Sequence, residues 1–284
     1  MNEDNDTYFE LILKKLNERH GFDFSQYREG TIKRRLERRA ALTGAGDCRE
    51  YADILESDPE EFKRLIKELT IKVSRFFRNH YVFERLSDEI LPDLFESKKD
   101  DDNRSLRVWC AGCAFGEEVY SVAISLSDYM HKSDKNMMDY NISIFGTDID
   151  DEALDRARLG VYNNEAVAEV RKKILDTYFT CDGGNNYSVV DSIRGVVNFC
   201  NHDITSRDRR SPAAGIVANY DLIMCRNLLI YFTVPLQQRA FLNLFNSLNP
   251  GGYLILGRSE SIPTDLEEYF IIKDSKGKIY QKRG

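Results

Sequence analysis

The spacing of apolar positions changes character along the chain. From residue 7 to 80 it recurs at three and four, which predicts helices over 8–19, 31–42, 48–56 and 59–72 and no strand. A further helical stretch at about 80–97 leads through the charge run KKDDDNR into an apolar run beginning at Leu106. From there strands and helices alternate. Residues 107–130, RVWCAGCAFGEEVYSVAISLSDYM, combine a short strand-forming run, a cluster of small residues and a helical pattern in which Val119, Val122, Ala123, Leu126 and Met130 share one face. Residues 141–150, NISIFGTDID, are an apolar strand ending in acids, and EALDRARLGVY continues as a helix. The alternation then breaks. After a polar helix near 165–178, YFTCDGGNNYSVVDSIRGVVNF holds two or three short strands punctuated by Asp182-Gly183-Gly184-Asn185, a small antiparallel insertion with an exposed edge. The core pattern resumes with a strand to Ile204, another within 220–232, a helix over 234–248 and a turn at Asn249-Pro250-Gly251-Gly252. GYLILG follows as a strand, and KIYQK is placed beside it as an antiparallel final strand.

These patterns predict an α/β chain: a helical domain at 1–80, a helical linker at 81–103 and a core at 104–284 that carries a β insertion at about 161–200. The unit at 107–130 is of the kind that opens nucleotide-binding α/β folds, where ligands lie beyond the carboxyl ends of the strands. Its glycines, Gly112 and Gly116, let backbone approach a ligand closely. A pyrophosphate site would offer free backbone donors at the helix start, but this helix opens with Glu117 and Glu118, which would repel a phosphate. Two readings stay open here: an ordinary acidic first turn, or a site for a ligand with hydroxyls and positive charge, such as S-adenosylmethionine. Asp148, ending the second strand, stands where such folds accept hydrogen bonds from ribose hydroxyls.

Charge and composition narrow the function classes. The chain has 284 residues, 42% of them hydrophobic, and a net charge of −7, which argues against non-specific nucleic-acid binding. No apolar run approaches the ~20 residues of a membrane span, and the acidic start MNEDNDTYFE does not resemble a signal peptide, so a cytoplasmic protein is expected. Cys110 and Cys113 have no second pair and no nearby histidine, so Cys110 reads as a buried strand end and no metal is expected. Against the acidic background, Arg34, Arg35, Arg38 and Arg39 fan across one side of the second helix, opposite Ile32, Leu36 and Ala40. Either that side is a solvated face, or it docks an acidic partner; the mutual repulsion of four arginines relieved only by Glu37 favours docking.

Several motifs in order resemble the chemotaxis receptor methyltransferases, the CheR family of S-adenosylmethionine-dependent protein-glutamate O-methyltransferases. They are Thr31-Ile32-Lys33-Arg34-Arg35-Leu36, Arg75-Phe76-Phe77-Arg78, Gly116-Glu117-Glu118 with Tyr120-Ser121, Thr147-Asp148-Ile149-Asp150, Cys225-Arg226-Asn227 with Ile230-Tyr231-Phe232, Pro250-Gly251-Gly252-Tyr253 and Gly257-Arg258-Ser259-Glu260-Ser261. The resemblance implies a Rossmann-like class I methyltransferase core with an N-terminal all-helical domain and a small antiparallel β insertion. It implies S-adenosylmethionine as cofactor, S-adenosylhomocysteine as product, and glutamates of a methyl-accepting chemotaxis receptor as substrate.

By the same resemblance, Ser74 and Arg78 contact the methionine end, Gly112 and Glu117 lie at the glycine turn, Asp148 holds the ribose, and Ile149 is a further cofactor-binding residue. Asp203 and Ile204 border the adenine, Cys225 and Arg226 form the inner wall, and Arg78 with Tyr231 faces the incoming glutamate. The arginine stripe would lie along the receptor's methylation helices, and the inserted sheet can tether a receptor C-terminal peptide by strand addition. A monomer is expected. The chain departs from the usual motif at Ala114, Phe115 and Val119, has Ser74 where threonine is usual, and has Lys72 where asparagine is usual. Lys72 would repel a sulfonium unless it turns to solvent or pairs with an acid such as Glu117. A carboxylate acceptor is ionised at neutral pH and needs no general base.

Three rivals share the fold. A nucleic-acid amino-methyltransferase would carry Asn or Asp-Pro-Pro-aromatic where Cys225-Arg226-Asn227-Leu228 stands. A small-molecule O-methyltransferase would recruit a base for a hydroxyl nucleophile, and a non-catalytic cofactor sensor or scaffold would tolerate Lys72 and Phe115.

Overall fold

The computed structural model describes residues 3–20, 22–70, 72, 74–99, 104–207, 211–212 and 219–284. They fall into two compact units, Met1–Ile71 with Tyr231–Gln238, and Lys72–Ile230 with Arg239–Gly284. The charge run that the sequence offers as a boundary lies largely at 100–103, outside the described residues.

The first unit is built on helices Glu3–His20, Glu29–Thr43, Cys48–Ser57 and Pro59–Leu69. Each turns one apolar stripe inward, so that Ile12, Leu16, Ile32, Leu36, Tyr51, Leu55, Phe62 and Leu65 form a single core. Their ends are written in the sequence: Asp47 and Asp58 accept hydrogen bonds from the N–H groups of Glu50 and Glu60, and Gly44 closes the second helix in the left-handed region. The fourth helix stops at Leu69, short of the expected residue 72. A late segment of the chain belongs here too. Arg28 N–H donates to the Tyr231 carbonyl at 2.8 Å, Thr233 N–H donates to the Gln26 carbonyl at 2.9 Å, and the Tyr27 and Phe232 rings meet edge to face at 4.9 Å.

Among its described residues the second unit carries ten strands: β1 Ser105–Ala111, β2 Asn141–Asp148, β3 Val161–Asn163, β4 Phe179–Cys181, β5 Asn186–Val189, β6 Val197–Asn201, β7 Tyr220–Cys225, β8 Leu248–Leu256, β9 Phe270–Asp274 and β10 Ile279–Lys282. Seven form one sheet in the order β6-β2-β1-β7-β8-β10-β9, parallel from β6 to β8 and antiparallel from β8 to β9. Every residue of β7 is buried, as a central strand covered on both faces requires. β10 pairs beside β8 as KIYQK predicts, but β9 then forms the edge outside it. That strand was not legible because FIIKD leaves Ile271 and Ile272 exposed in succession and so shows no alternation.

Three local expectations need correction. The turn at 249–252 lies inside β8, where Gly251 at φ 77° accompanies a pairing shift opposite Tyr220 and Leu222. The helix after β2 ends at Leu159, capped by Gly160 in the left-handed region, so Val161 and Tyr162 are strand. The polar helix at 165–178 is two short ones, Asn164–Val167 and Lys172–Tyr178. The small sheet therefore has the order β3-β5-β4, with its third strand drawn from upstream, while the 197–200 segment belongs to the main sheet.

Candidate functional site

Strand order reverses between β1 and β7, and in a sheet of this kind the crevice at the carboxyl ends of those two strands is the ligand-binding position. The turn after β1 closes there around glycine. Gly112 and Gly116 sit at φ 69° and 89°, and a Cβ would stand 2.9 Å from the Leu228 side chain at Gly112 and 2.9 Å from the Phe199 ring at Gly116. Asp148 fastens this turn to the end of β2: one carboxylate oxygen accepts from Ala114 N–H at 2.9 Å and the other from Asp150 N–H at 3.1 Å. Burial pushes its carboxyl up from the ordinary value, opposed by those two donors. Each oxygen keeps a lone pair for a ligand hydroxyl.

Glu117 opens the helix Glu117–Lys132 and is buried, yet its Oε2 has no hydrogen-bond partner among the described residues. Burial raises its pKa to about 7, and hydrogen bonds from backbone and from Ser74 only partly offset that. A buried carboxylate left with an open oxygen is a poor structural element and a good partner for a cation. Beside it Glu118 accepts from Arg226 at 2.9 Å, and the other guanidinium nitrogen donates to the Arg78 carbonyl at 2.8 Å. Segment 74–78 is anchored on the same helix start: Phe77 N–H donates to Ser121 Oγ at 2.8 Å, and that hydroxyl donates to the Glu117 carbonyl at 2.6 Å. Ser74, Arg78 and Arg226 are thus tied to the Glu117–Glu118 helix start, while Asp148 holds the turn that follows Gly112.

Lys72 neither turns to solvent nor pairs with Glu117. Its side chain is buried against Asp150, with which it forms an ion pair, and its ammonium lies 5.9 Å from the centre of the Phe115 ring. Asp150 also accepts from Ala153 N–H, capping the next helix, so the lysine charge is met by a carboxylate that the fold already fixes.

The remaining expected residues sit as follows. The Ile149 carbonyl accepts from Asn201 Nδ2 at 3.0 Å, Asp203 accepts from the Thr205 N–H and hydroxyl, and buried Ile204 presents its carbonyl to Asn243. Cys225 is fully buried at the end of β7. Cys110 and Cys113 are buried free thiols whose pKa values burial pushes far up. Tyr231 falls in the segment that belongs to the helical unit.

The arginine stripe is divided. Arg39 makes two hydrogen bonds, at 2.6 and 2.7 Å, to Glu61, which is 1% exposed and also accepts from Tyr51. Arg35 donates to the Glu68 carbonyl at 2.6 Å, near the end of the Pro59–Leu69 helix. Arg38 lies 3.5 Å from Glu68 with its side chain 73% exposed, and Arg34 is exposed. Glu61 and Glu68, not Glu37 alone, relieve the crowding, so two of the four arginines are committed within the helical unit.

Two features of the crevice were missed. Glu260, buried, accepts from four backbone N–H groups: Asn227 at 3.0 Å, Leu228 at 2.9 Å, Leu229 at 2.8 Å and Gly257 at 2.6 Å. Glu260 stood inside the Gly257–Ser261 motif, but nothing in that spacing gave it a role. Beyond it opens a cavity of about 450 Å³ whose lining includes Arg78, Arg226, Arg258 and Lys276 and no acidic side chain.

Comparison with known proteins meets this geometry. The family model described as CheR methyltransferase, SAM binding domain, matches residues 72–279, and CheR methyltransferase, all-alpha domain, matches residues 7–70. The chain belongs to the CheR methyltransferase family. It is 31% identical to the chemotaxis protein methyltransferase of Listeria monocytogenes over 94% of this chain and 96% of that protein. It is 29% identical to chemotaxis protein methyltransferase 2 of Vibrio cholerae over 98% of this chain and 93% of that protein. An uncharacterized 104.1 kDa protein of Rhodobacter capsulatus is 31% identical over 91% of this chain, which spans only 26% of its length. As a CheR methyltransferase the chain uses S-adenosylmethionine, and its residues fit that cofactor. The open Glu117 oxygen suits an ammonium or sulfonium, and Asp148 retains acceptor capacity for ribose hydroxyls. No helix among the described residues is long and apolar enough to cross a membrane.

Proposed function

We propose that this CheR methyltransferase esterifies glutamate side chains of a methyl-accepting chemotaxis receptor, acting as a cytoplasmic monomer. The observation that carries the reading is the basic cavity beside the crevice, which offers cations and no acid or histidine among its lining residues. Such a cavity suits an acceptor that is already ionised and gives nothing to a hydroxyl acceptor in need of a base. Held by these residues, S-adenosylmethionine would supply an electrophilic methyl group to a carboxylate that needs no deprotonation. The chain's task is then placement, which can supply up to ~7 to 11 kcal/mol of the barrier reduction.

In this reading Ser74, Gly112, Glu117, Asp148, Ile149, Asp203, Ile204, Cys225 and Arg226 hold the cofactor. Arg78 and Tyr231 take the incoming carboxylate, and Arg34 and Arg38, the exposed members of the stripe, contact the receptor. The pairing of Lys72 with Asp150 removes the main electrostatic objection to cofactor binding. The outer strands β3 and β4 of the small sheet each have one edge without a strand partner among the described residues, which supports strand addition of a receptor C-terminal peptide. Transfer of tritiated methyl into receptor-enriched membranes, as counts released by mild base, tests the reading. Transfer into base-stable product, or none by a protein that binds the cofactor, overturns it.

A further inference from the structure

We propose that a cavity of about 280 Å³ beside the C-terminal half of the helix Glu117–Lys132 is a second ligand site, which takes a small protonated amine on an apolar body and strengthens cofactor binding when filled. Its lining includes none of the residues assigned to the cofactor or the acceptor. Phe77, Phe83 and Ile174 supply apolar walls, and Ser87, Asp88 and Ser125 supply polar groups. Ser125 is 6% exposed, and its hydroxyl has no hydrogen-bond partner among the described residues. A buried hydroxyl without a partner costs free energy until a ligand meets it. The other lining charges are matched: Arg171 pairs with Glu84 at 2.8 Å and Lys132 with Asp128 at 2.6 Å. Asp88 has no cationic partner among the described residues, so the uncompensated charge is negative. A cation fits it, and the apolar walls select one that carries a ring or a short alkyl body.

Two features of the chain shape the site. Between the helices His80–Arg85 and Leu91–Ser97 lies a π-helical turn, Leu86–Ile90, closed by the Leu91 N–H on the Leu86 carbonyl. Such a turn widens a helix locally, and this one carries both Ser87 and Asp88 to the cavity. Phe77 is the second feature. It holds φ 53°, a strained value for a bulky side chain, while its ring meets Phe83 edge to face at 5.3 Å. The Phe77 N–H donates to Ser121, whose hydroxyl donates to the Glu117 carbonyl, and the Arg78 carbonyl accepts from Arg226. An apolar body packed on the Phe77 ring favours the conformation to which Glu117 and Arg226 are tied, so the two ligands support each other.

The experiment titrates the whole protein with phenethylamine, phenethyl alcohol and phenylacetate, each with and without saturating S-adenosylhomocysteine, by ligand-observed NMR. The wild type is expected to bind the amine about 3- to 5-fold more tightly than the alcohol, and about tenfold or more above the acid. Asp88→Asn should bring the amine to the level of the alcohol, and Ser125→Leu, which fills the cavity, should abolish binding of both. Saturation with S-adenosylhomocysteine should tighten the amine about fivefold. Absence of amine binding, equal binding of amine and alcohol by the wild type, or an unaltered preference in Asp88→Asn overturns the proposal. Amine binding lost on saturation places the amine in the cofactor crevice and overturns the second site. An amine affinity indifferent to S-adenosylhomocysteine overturns the link through Phe77. Retained cofactor-induced thermal stabilisation shows that a variant is folded, and exposed Asp88 keeps the test decisive if Ser125→Leu does not fold.

Discussion

The Glu260 carboxylate accepts from the backbone N–H of Asn227 at 3.0 Å, thirty-three positions earlier in the chain, and holds that residue at φ 60°. Asparagine tolerates the left-handed region better than most side chains, but the conformation still has to be imposed. Glu260 imposes it while also holding Leu228, Leu229 and Gly257, and thereby joins the loops after β7 and β8 that carry Arg226 and Arg258.

Glu260→Gln puts a donor where four donors converge. It is expected to destabilise the protein by about 3 to 5 kcal/mol and lower the melting temperature by roughly 10 °C. Activity remaining below the melting transition should be lost in kcat/KM for the acceptor more than in cofactor affinity. A calorimetric scan and a titration separate the two, and an unchanged melting temperature would remove Glu260 from this role.

Glu117 should link pH to cofactor binding. With a folded pKa of about 7 its proton is half lost at neutrality in the free protein, whereas a bound cation favours the ionised form. Affinity should therefore rise by about tenfold from pH 6 to pH 8 and level off above, with protons released on binding. Calorimetry in two buffers of different ionisation enthalpy measures that release, and Glu117→Gln should flatten the profile. The sign for stability is opposite. A carboxyl raised from its ordinary 4.5 holds its proton more tightly when folded, so cofactor-free stability is lost as pH climbs from 4.5 to 7. Glu117→Gln should then melt higher than wild type at pH 8.

Lys72 and Asp150 should respond unequally to truncation. Asp150→Ala leaves a buried ammonium without its carboxylate and a helix without its cap, an expected loss of about 3 to 5 kcal/mol with weaker cofactor binding. Lys72→Met leaves Asp150 its Ala153 N–H and should cost less. Equal losses in chemical denaturation would contradict the pairing.

Asp148→Ala should weaken cofactor affinity by about 1.5 to 3 kcal/mol in a titration, and also loosen the turn at Ala114, whose N–H loses its acceptor. Unchanged affinity in a folded variant would take Asp148 out of the site.

Charge reversal on the second helix must respect the division of its arginines. Arg34→Glu with Arg38→Glu should lower receptor methylation several-fold, more at low salt than at high, without changing cofactor affinity. Arg39→Glu should instead unfold the helical unit, because it sets a second carboxylate against buried Glu61. Equal methylation by the Arg34 and Arg38 variant at all salt concentrations would return that face to solvent.

The sequence was most readable where one residue type has one physical use. Gly112 and Gly116 marked the turn, Asp148 marked the end of β2, and the apolar run of β7 marked a strand of the core. It was opaque where partners are distant. Nothing local joins Lys72 to Asp150, Arg39 to Glu61, or Glu260 to Asn227, since each pairing depends on how the chain folds back and not on any spacing. Strands escaped notice where burial was too slight to print a period, as in β3 with both end residues exposed and in β9 at the sheet edge.

The contacts of Gln26, Tyr27 and Arg28 with residues 231–233 bear on the order of events during synthesis. The helical unit leaves the ribosome first, yet its last segment is made only after the whole parallel sheet through β7 has been translated. A nascent chain stalled before Tyr231 would hold these helices with the Tyr27 ring packed on Phe24 but not yet on Phe232, and with the Arg28 N–H and the Gln26 carbonyl still waiting for their partners. The N-terminal unit is thus first to be made and among the last to be finished.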